Sequence, residues 1–123
     1  MKKLLMTAAA GALCATSGFA GGHAQDIKLG VILGFTGPIE SLTPSMAAGA
    51  ELAMAEVTES GALLGGAKVT PVRADSTCVD SAAASAAAER LITSDGISGI
   101  VGADCSGVTG AILNNGALAN GMV

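Results

Sequence analysis

Three consecutive residues, Asp104-Cys105-Ser106, put a carboxylate, a thiol and a hydroxyl side by side within the stretch GADCSGVT, Gly102 to Thr109. An apolar run, Ile97-Ser98-Gly99-Ile100-Val101, precedes them and reads as a buried strand. The segment from Val108 to Ala119 reads as a helix. The three residues therefore fall where a strand ends and a helix begins. In an α/β sheet such a junction offers free backbone N–H groups and a positive helix end. A serine hydroxyl there can donate to a small anion, such as a carboxylate. A cysteine there can be tied to another loop and hold the serine in place. In an ordinary loop the same serine would only cap the helix.

Residues 1–24 read as a secretory signal peptide. Lys2-Lys3 form the positive start and Leu4 to Ala15 a short apolar stretch. Small residues precede two cleavage points, after Ala20 and after Ala24, and the second fits better because strand-like sequence follows almost at once. The apolar run is too short to span a bilayer. Leu13 stands before Cys14, where a lipoprotein would want a small residue. Export leaves two cysteines, Cys78 and Cys105, and an even count in an oxidising compartment suggests a disulfide. Each follows a predicted strand, so a parallel sheet would place both at its carboxyl edge. Two unpaired buried thiols are the alternative. The only histidine, His23, belongs to the leader, so no Ser-His-Asp or Cys-His set remains in the mature chain. No GxGxxG or Walker-type phosphate loop follows any strand, and no cofactor or metal site is expected.

The elements that must position these residues are legible from periodicity. The chain has 123 residues, enough for one small domain, and half are hydrophobic. Asp26 to Gly34, DIKLGVILG, is a near-continuous apolar run that reads as a central strand covered on both faces. A turn-rich stretch, Phe35 to Thr43, leads to Thr43 as helix cap and Pro44 as first helical residue. From Ser45 to Glu59, Met46, Ala47, Ala50, Ala53, Met54 and Val57 share one side of a helix. Glu51, Glu56 and Glu59 read as a solvated face rather than metal ligands or acid catalysts. Lys68 to Asp75 is a second strand, placed at an edge by Pro71, which cannot donate to a ladder. Asp80 or a neighbour caps a second helix ending near Ser94, with Ala84, Ala87, Ala88 and Leu91 inward. Gly110 and Gly116 weaken the third helix, and Gly121-Met122-Val123 reads as the start of a fourth strand.

Strand and helix alternate three times, which implies an α/β fold: an open parallel sheet with helices on both faces, in three layers. Right-handed crossovers and the common order 2-1-3-4 put the first and third strands side by side. Ligands of such sheets bind beyond the carboxyl ends of the strands at this switch point. The flanking loops are Phe35–Thr43 and Ala103–Thr109. The mature chain has ten acidic and four basic residues, and an acidic surface does not attract nucleic acid or anionic membranes. With two Phe, no Tyr and no Trp in all 123 residues, the sequence also lacks stacking platforms for single strands.

The same residues resemble a known family. IKLGVILGFTGPIESL with its TGP turn, the helix AAGAELAMAEV, the motif DSTC, the segment LITSDGISGIVG and the CS pair of GADCS run in one register over nearly all of the mature chain. They are similar to the periplasmic substrate-binding proteins of branched-chain amino-acid ABC transporters, the leucine/isoleucine/valine-binding group of type 1 periplasmic binding proteins. The resemblance implies a two-lobed protein that closes on its ligand and docks on a membrane permease. It implies that Ser106 contacts the amino acid's carboxylate, that Asp104 and Cys105 line the pocket, and that Cys78 pairs with Cys105. A pocket-wall position after TGP, often aromatic in the family, matches Leu42. Family members are longer, so residues 25–123 are expected to be a partial N-terminal lobe, exported to the periplasm and not inserted in the membrane once the signal is removed. The expected function is solute binding for an importer, not catalysis. Two other readings stand beside it: an exported α/β enzyme with Cys105 or Ser106 as nucleophile, and a sensory ligand-binding domain of the same fold.

Overall fold

The computed structural model describes residues 25–122. The expected export signal lies outside them. Three strands, β1 (Ile27–Leu33), β2 (Val69–Asp75) and β3 (Gly99–Gly102), form a parallel sheet in the order β2-β1-β3. The first and third strands are neighbours, as the alternation required. The register runs from Ile27 opposite Val69 to Leu33 opposite Asp75, and from Leu29 opposite Gly99 to Ile32 opposite Gly102. All three strands therefore end at one edge. Pro71 sits on β2, which pairs on one side only.

β1 splits the core by its two-residue period. Val31 and Leu33 face α1 (Thr43–Ser60) and pack with Ala47 and Met54. Ile32 faces the opposite way, into a larger cluster with Ala74, Ala84, Ala88, Leu91, Ile97, Val108 and Ile112. Those residues come mainly from α2 (Ser81–Thr93) and α3 (Ser106–Ile112). Helices thus cover both faces, as expected. Asp80 caps α2, its side chain accepting from the N–H groups of Ala82 and Ala83.

Four local expectations change. Thr43 is not the cap of α1 but its first residue; Leu42 holds the cap position, and Pro44 still lies in the first turn. The Thr43 side chain is wholly buried and needed elsewhere, as described below. Of the apolar side expected for α1, Ala47 and Met54 are buried, whereas Met46 is 47% and Val57 40% exposed. A shallow apolar groove of about 410 Å³ lies between Val57, Ala53, Leu29 and Val101. The third helix begins two residues early, at Ser106, then widens to a π-type turn over Leu113–Ala117 and tightens to a 3₁₀ turn over Leu118–Asn120. The expected fourth strand is absent from the described residues: Gly121 ends that 3₁₀ turn at φ 64° and Met122 pairs with no strand.

Leu91 is fully buried where α2 meets the sheet. Leu91→Ala is expected to cost about 2–5 kcal/mol of folding free energy, read as a lower urea midpoint with an unchanged slope.

Candidate functional site

The carboxyl edge of the sheet is held by side chains that reach from one loop to the next. Gly34, the residue after β1, is buried. Its N–H donates to Asp104 Oδ2 at 2.7 Å. Its carbonyl accepts from the Thr43 hydroxyl at 3.2 Å, which is why Thr43 is turned inward instead of capping its helix. Ser76, the residue after β2, is wholly buried. Its N–H donates to the Leu33 carbonyl at 2.9 Å and its hydroxyl to Asp104 Oδ1 at 3.3 Å. Buried backbone groups must find partners, and here the neighbouring loops supply them.

A second clasp joins the β1 and β2 loops further out. Asp75 Oδ2 accepts from the Thr36 hydroxyl at 2.6 Å, and Oδ1 from the N–H groups of Thr36 at 3.3 Å and Thr77 at 2.8 Å. Desolvation alone would raise the Asp75 carboxyl; the bonds from Thr36 and Thr77 outweigh it and hold it below the ordinary value. Gly37, in the same loop, has φ 99°, and a Cβ there would lie 2.5 Å from the Thr77 carbonyl oxygen. Only glycine lets the two loops approach this closely. Beside the clasp, Arg73 stands 5.4 Å from the Phe35 ring centroid and grips Glu51 through two bonds of 2.5 and 2.8 Å. That hydrogen-bonded guanidinium lowers the Glu51 carboxyl. Glu51 is thus an ion-pair partner, and the described residues contain no cluster of His, Cys, Asp and Glu able to hold a metal ion.

Cys78 and Cys105 form a disulfide with their Cα atoms 5.2 Å apart. Thr77 and Cys78 reach this position with φ of 59° and 68°, a left-handed conformation rare outside glycine. Closing a loop of 27 residues constrains the unfolded chain by about 3–4 kcal/mol in the chain-entropy account. The bridge also leaves Cys105 without the thiolate that a nucleophile would need.

The four residues singled out in the sequence thus have distinct places. Ser106 is exposed as the first residue of α3. Cys105, immediately before it, is half-buried and bonded to the β2 loop. Asp104 is half-buried, with its carboxylate turned into the strand ends rather than outward. Leu42 is 59% exposed on the β1 loop at the same edge. The structure brings Asp104, Cys105 and Ser106 together with Cys78, Gly34 and Ser76, while Leu42 shares only the edge. Sequence reasoning missed Ser76, Thr36 and Asp75 as rim residues. The one available signal was the position of Asp75-Ser76-Thr77 just where a predicted strand ends.

The chain is similar to known proteins in sequence and in fold. The sequence profile of the family described as periplasmic binding protein matches residues 26–121. The chain is 36% identical over 107 residues to Leu/Ile/Val-binding protein homolog 7 of Brucella melitensis, covering 87% of this chain and 25% of that protein. It is 38% identical over 82 residues to the protein of the same name in Brucella abortus, covering 67% and 20%. Its fold is similar to that of the branched-chain amino acid transporter substrate binding protein LivJ from Streptococcus pneumoniae, solved in complex with isoleucine. There the TM-score is 0.70 and the identity 28%, over 79% of this chain and 27% of that one. An ABC-type branched-chain amino acid transporter from Rhodopseudomonas palustris, 24% identical, shares the fold at a TM-score of 0.70 over 80% of this chain and 26% of its own. The chain spans about a quarter of the length of these relatives.

Because the ionised form of Asp75 is the one its partners favour, the clasp contributes stability at neutral pH. That contribution is lost as pH falls through a value below the ordinary 3.8. The stability gap between the wild type and Asp75→Asn is therefore expected to be constant from pH 7 to about 5 and to close only in stronger acid. Urea midpoints measured across that range check this.

Proposed function

The chain belongs to the periplasmic binding protein family, and on that footing we propose that it is the first part of an extracytoplasmic solute-binding protein for an ABC importer. In this reading residues 1–24 are the export signal and residues 25–123 a partial N-terminal lobe. The solute is an amino acid, of branched-chain type, or a similar small carboxylate. It is held between this lobe and a second one, and the closed protein delivers it to a membrane permease in the periplasm.

The observation that carries the reading is the place of Ser106. Its exposed residue opens α3 directly after the strand beside β1, on the edge where both flanking loops emerge. A hydroxyl at that point donates to a carboxylate oxygen, and the backbone N–H groups of the first helical turn point the same way. The chain carries a net charge of −4, so neutral donors rather than bulk charge must hold an anionic group here. Cys105 backs the serine through its bridge, and exposed Leu42 contributes an apolar wall for the ligand's side chain. The names of the Brucella relatives and the isoleucine bound to the Streptococcus protein support the branched-chain assignment. The bridge at Cys105 weighs against an enzyme built on that residue.

Calorimetric titration of the full-length two-lobed protein with L-leucine and L-isoleucine tests this. Binding is expected, and Ser106→Ala should weaken it about 10- to 150-fold, the value of one hydrogen bond to a charged group. The same substitution should cost far less with leucinol, which has no carboxylate. No binding of either amino acid, or an equal Ser106→Ala penalty with both ligands, would overturn the assignment.

A further inference from the structure

We infer that Asp104 is a positioning residue: its carboxylate does not meet the ligand but fixes the point from which Cys105 and Ser106 issue. This rests on the solute-binding reading of Ser106. β3 runs beside β1 and ends at Gly102. Two residues beyond that end, one carboxylate joins the loops of all three strands. Oδ2 takes the N–H of Gly34, one residue past β1, at 2.7 Å. Oδ1 takes the hydroxyl of Ser76, one residue past β2 and wholly buried, at 3.3 Å. The slot is shaped for it, since a Cβ on Gly34 would come within 3.4 Å of Oδ2 and 3.2 Å of the Cys78 Cβ.

Electrostatics point the same way. A negative charge two residues from a carboxylate-binding hydroxyl repels the ligand group that hydroxyl must hold. The charge is tolerated where its oxygens are already engaged, and here both are taken up by donors at the ends of β1 and β2. What the carboxylate gives in return is order. With the Asp104 joint closed, the Ser106 segment is set before the ligand arrives, and its ordering is not charged against binding.

The test uses the full-length protein as wild type, Asp104→Asn and Asp104→Ala. Two quantities are read: affinity for L-isoleucine by calorimetry, and amide hydrogen exchange at Gly34 and over residues 106–108. An amide oxygen can still accept from Gly34, and the Ser76 hydroxyl can reverse to accept from the amide nitrogen. Asp104→Asn is therefore expected to stay within about threefold of wild type, with exchange nearly unchanged. Asp104→Ala is expected to bind about tenfold more weakly, the cost of ordering one backbone residue on binding, with faster exchange at both places. Equal loss of affinity in both variants would overturn the inference, because the charge would then touch the ligand itself. So would a lowered melting temperature in Asp104→Ala with wild-type affinity, which would make the joint a matter of stability alone. If the wild type binds no amino acid, the solute-binding reading fails. Exchange then decides the rest: faster exchange at 106–108 in Asp104→Ala alone upholds the positioning, and unchanged exchange overturns it.

Discussion

The rim of this sheet depends on one peptide unit, that of Gly34. It leaves β1 at the centre of the sheet, buried, with both polar groups still to be satisfied. The N–H goes to Asp104 on the β3 loop and the carbonyl to Thr43 at the start of α1. Next to it, the Leu33 carbonyl takes the N–H of Ser76 on the β2 loop. Three loops far apart in sequence are thereby referred to one point. The central position of β1 makes this possible, because a neighbour stands on each side from which partners can reach over its end.

Charge is handled differently inside the rim and outside it. Asp75 and Asp104 both stand at the edge where an anionic ligand would approach. Each has its oxygens occupied by hydroxyl and N–H donors from adjacent loops. Absorbed in this way, the acids act as acceptors that set loop geometry, while Ser106 presents a neutral hydroxyl, exposed, at the same edge. Away from the edge, Arg73 is spent on Glu51 and Arg90 on Asp95. On the proposed function, affinity for a carboxylate comes from directed hydrogen bonds, which discriminate by geometry, rather than from a positive field, which attracts any anion.

Much of this was legible in the sequence. The apolar run of β1, the alanine stripe of α2 and the cap at Asp80 follow from periodicity and local chemistry, which act within a few residues. The pairing of Cys78 with Cys105 followed from export, an even count and a shared sheet edge. The resemblance to periplasmic binding proteins gave the family before the fold was seen. What stayed hidden depends on contacts between distant residues. Thr43 has every local mark of a helix cap, yet a buried carbonyl nine residues upstream claims its hydroxyl. Thr77 and Cys78 carry no local signal for left-handed backbone, since neither is glycine, asparagine or aspartate. Nothing local to Asp104 tells that its carboxylate meets the N–H of Gly34, far upstream in the sequence. The change of pitch after Ile112 falls where Gly116 packs on α2, a Cβ there lying 3.4 Å from that of Ala88.

The disulfide and the Asp104 joint act on the same loop by different means, and the difference bears on the proposed closure of two lobes around a ligand. A covalent bridge limits how far Cys105 can travel, whatever the solvent does. It does not fix the backbone that follows, because rotation about the side-chain bonds of two cysteines leaves the loop several orientations. A carboxylate held at two oxygens by groups on two other strands removes that remaining freedom, but only while both donors are in place. Together they tie down the edge around Ser106, so that in the proposed two-lobed protein closure would come from the relative placement of lobes and not from the rim itself. Rigid-body closure around preset donors requires less ordering of the site than folding a loop over the ligand would.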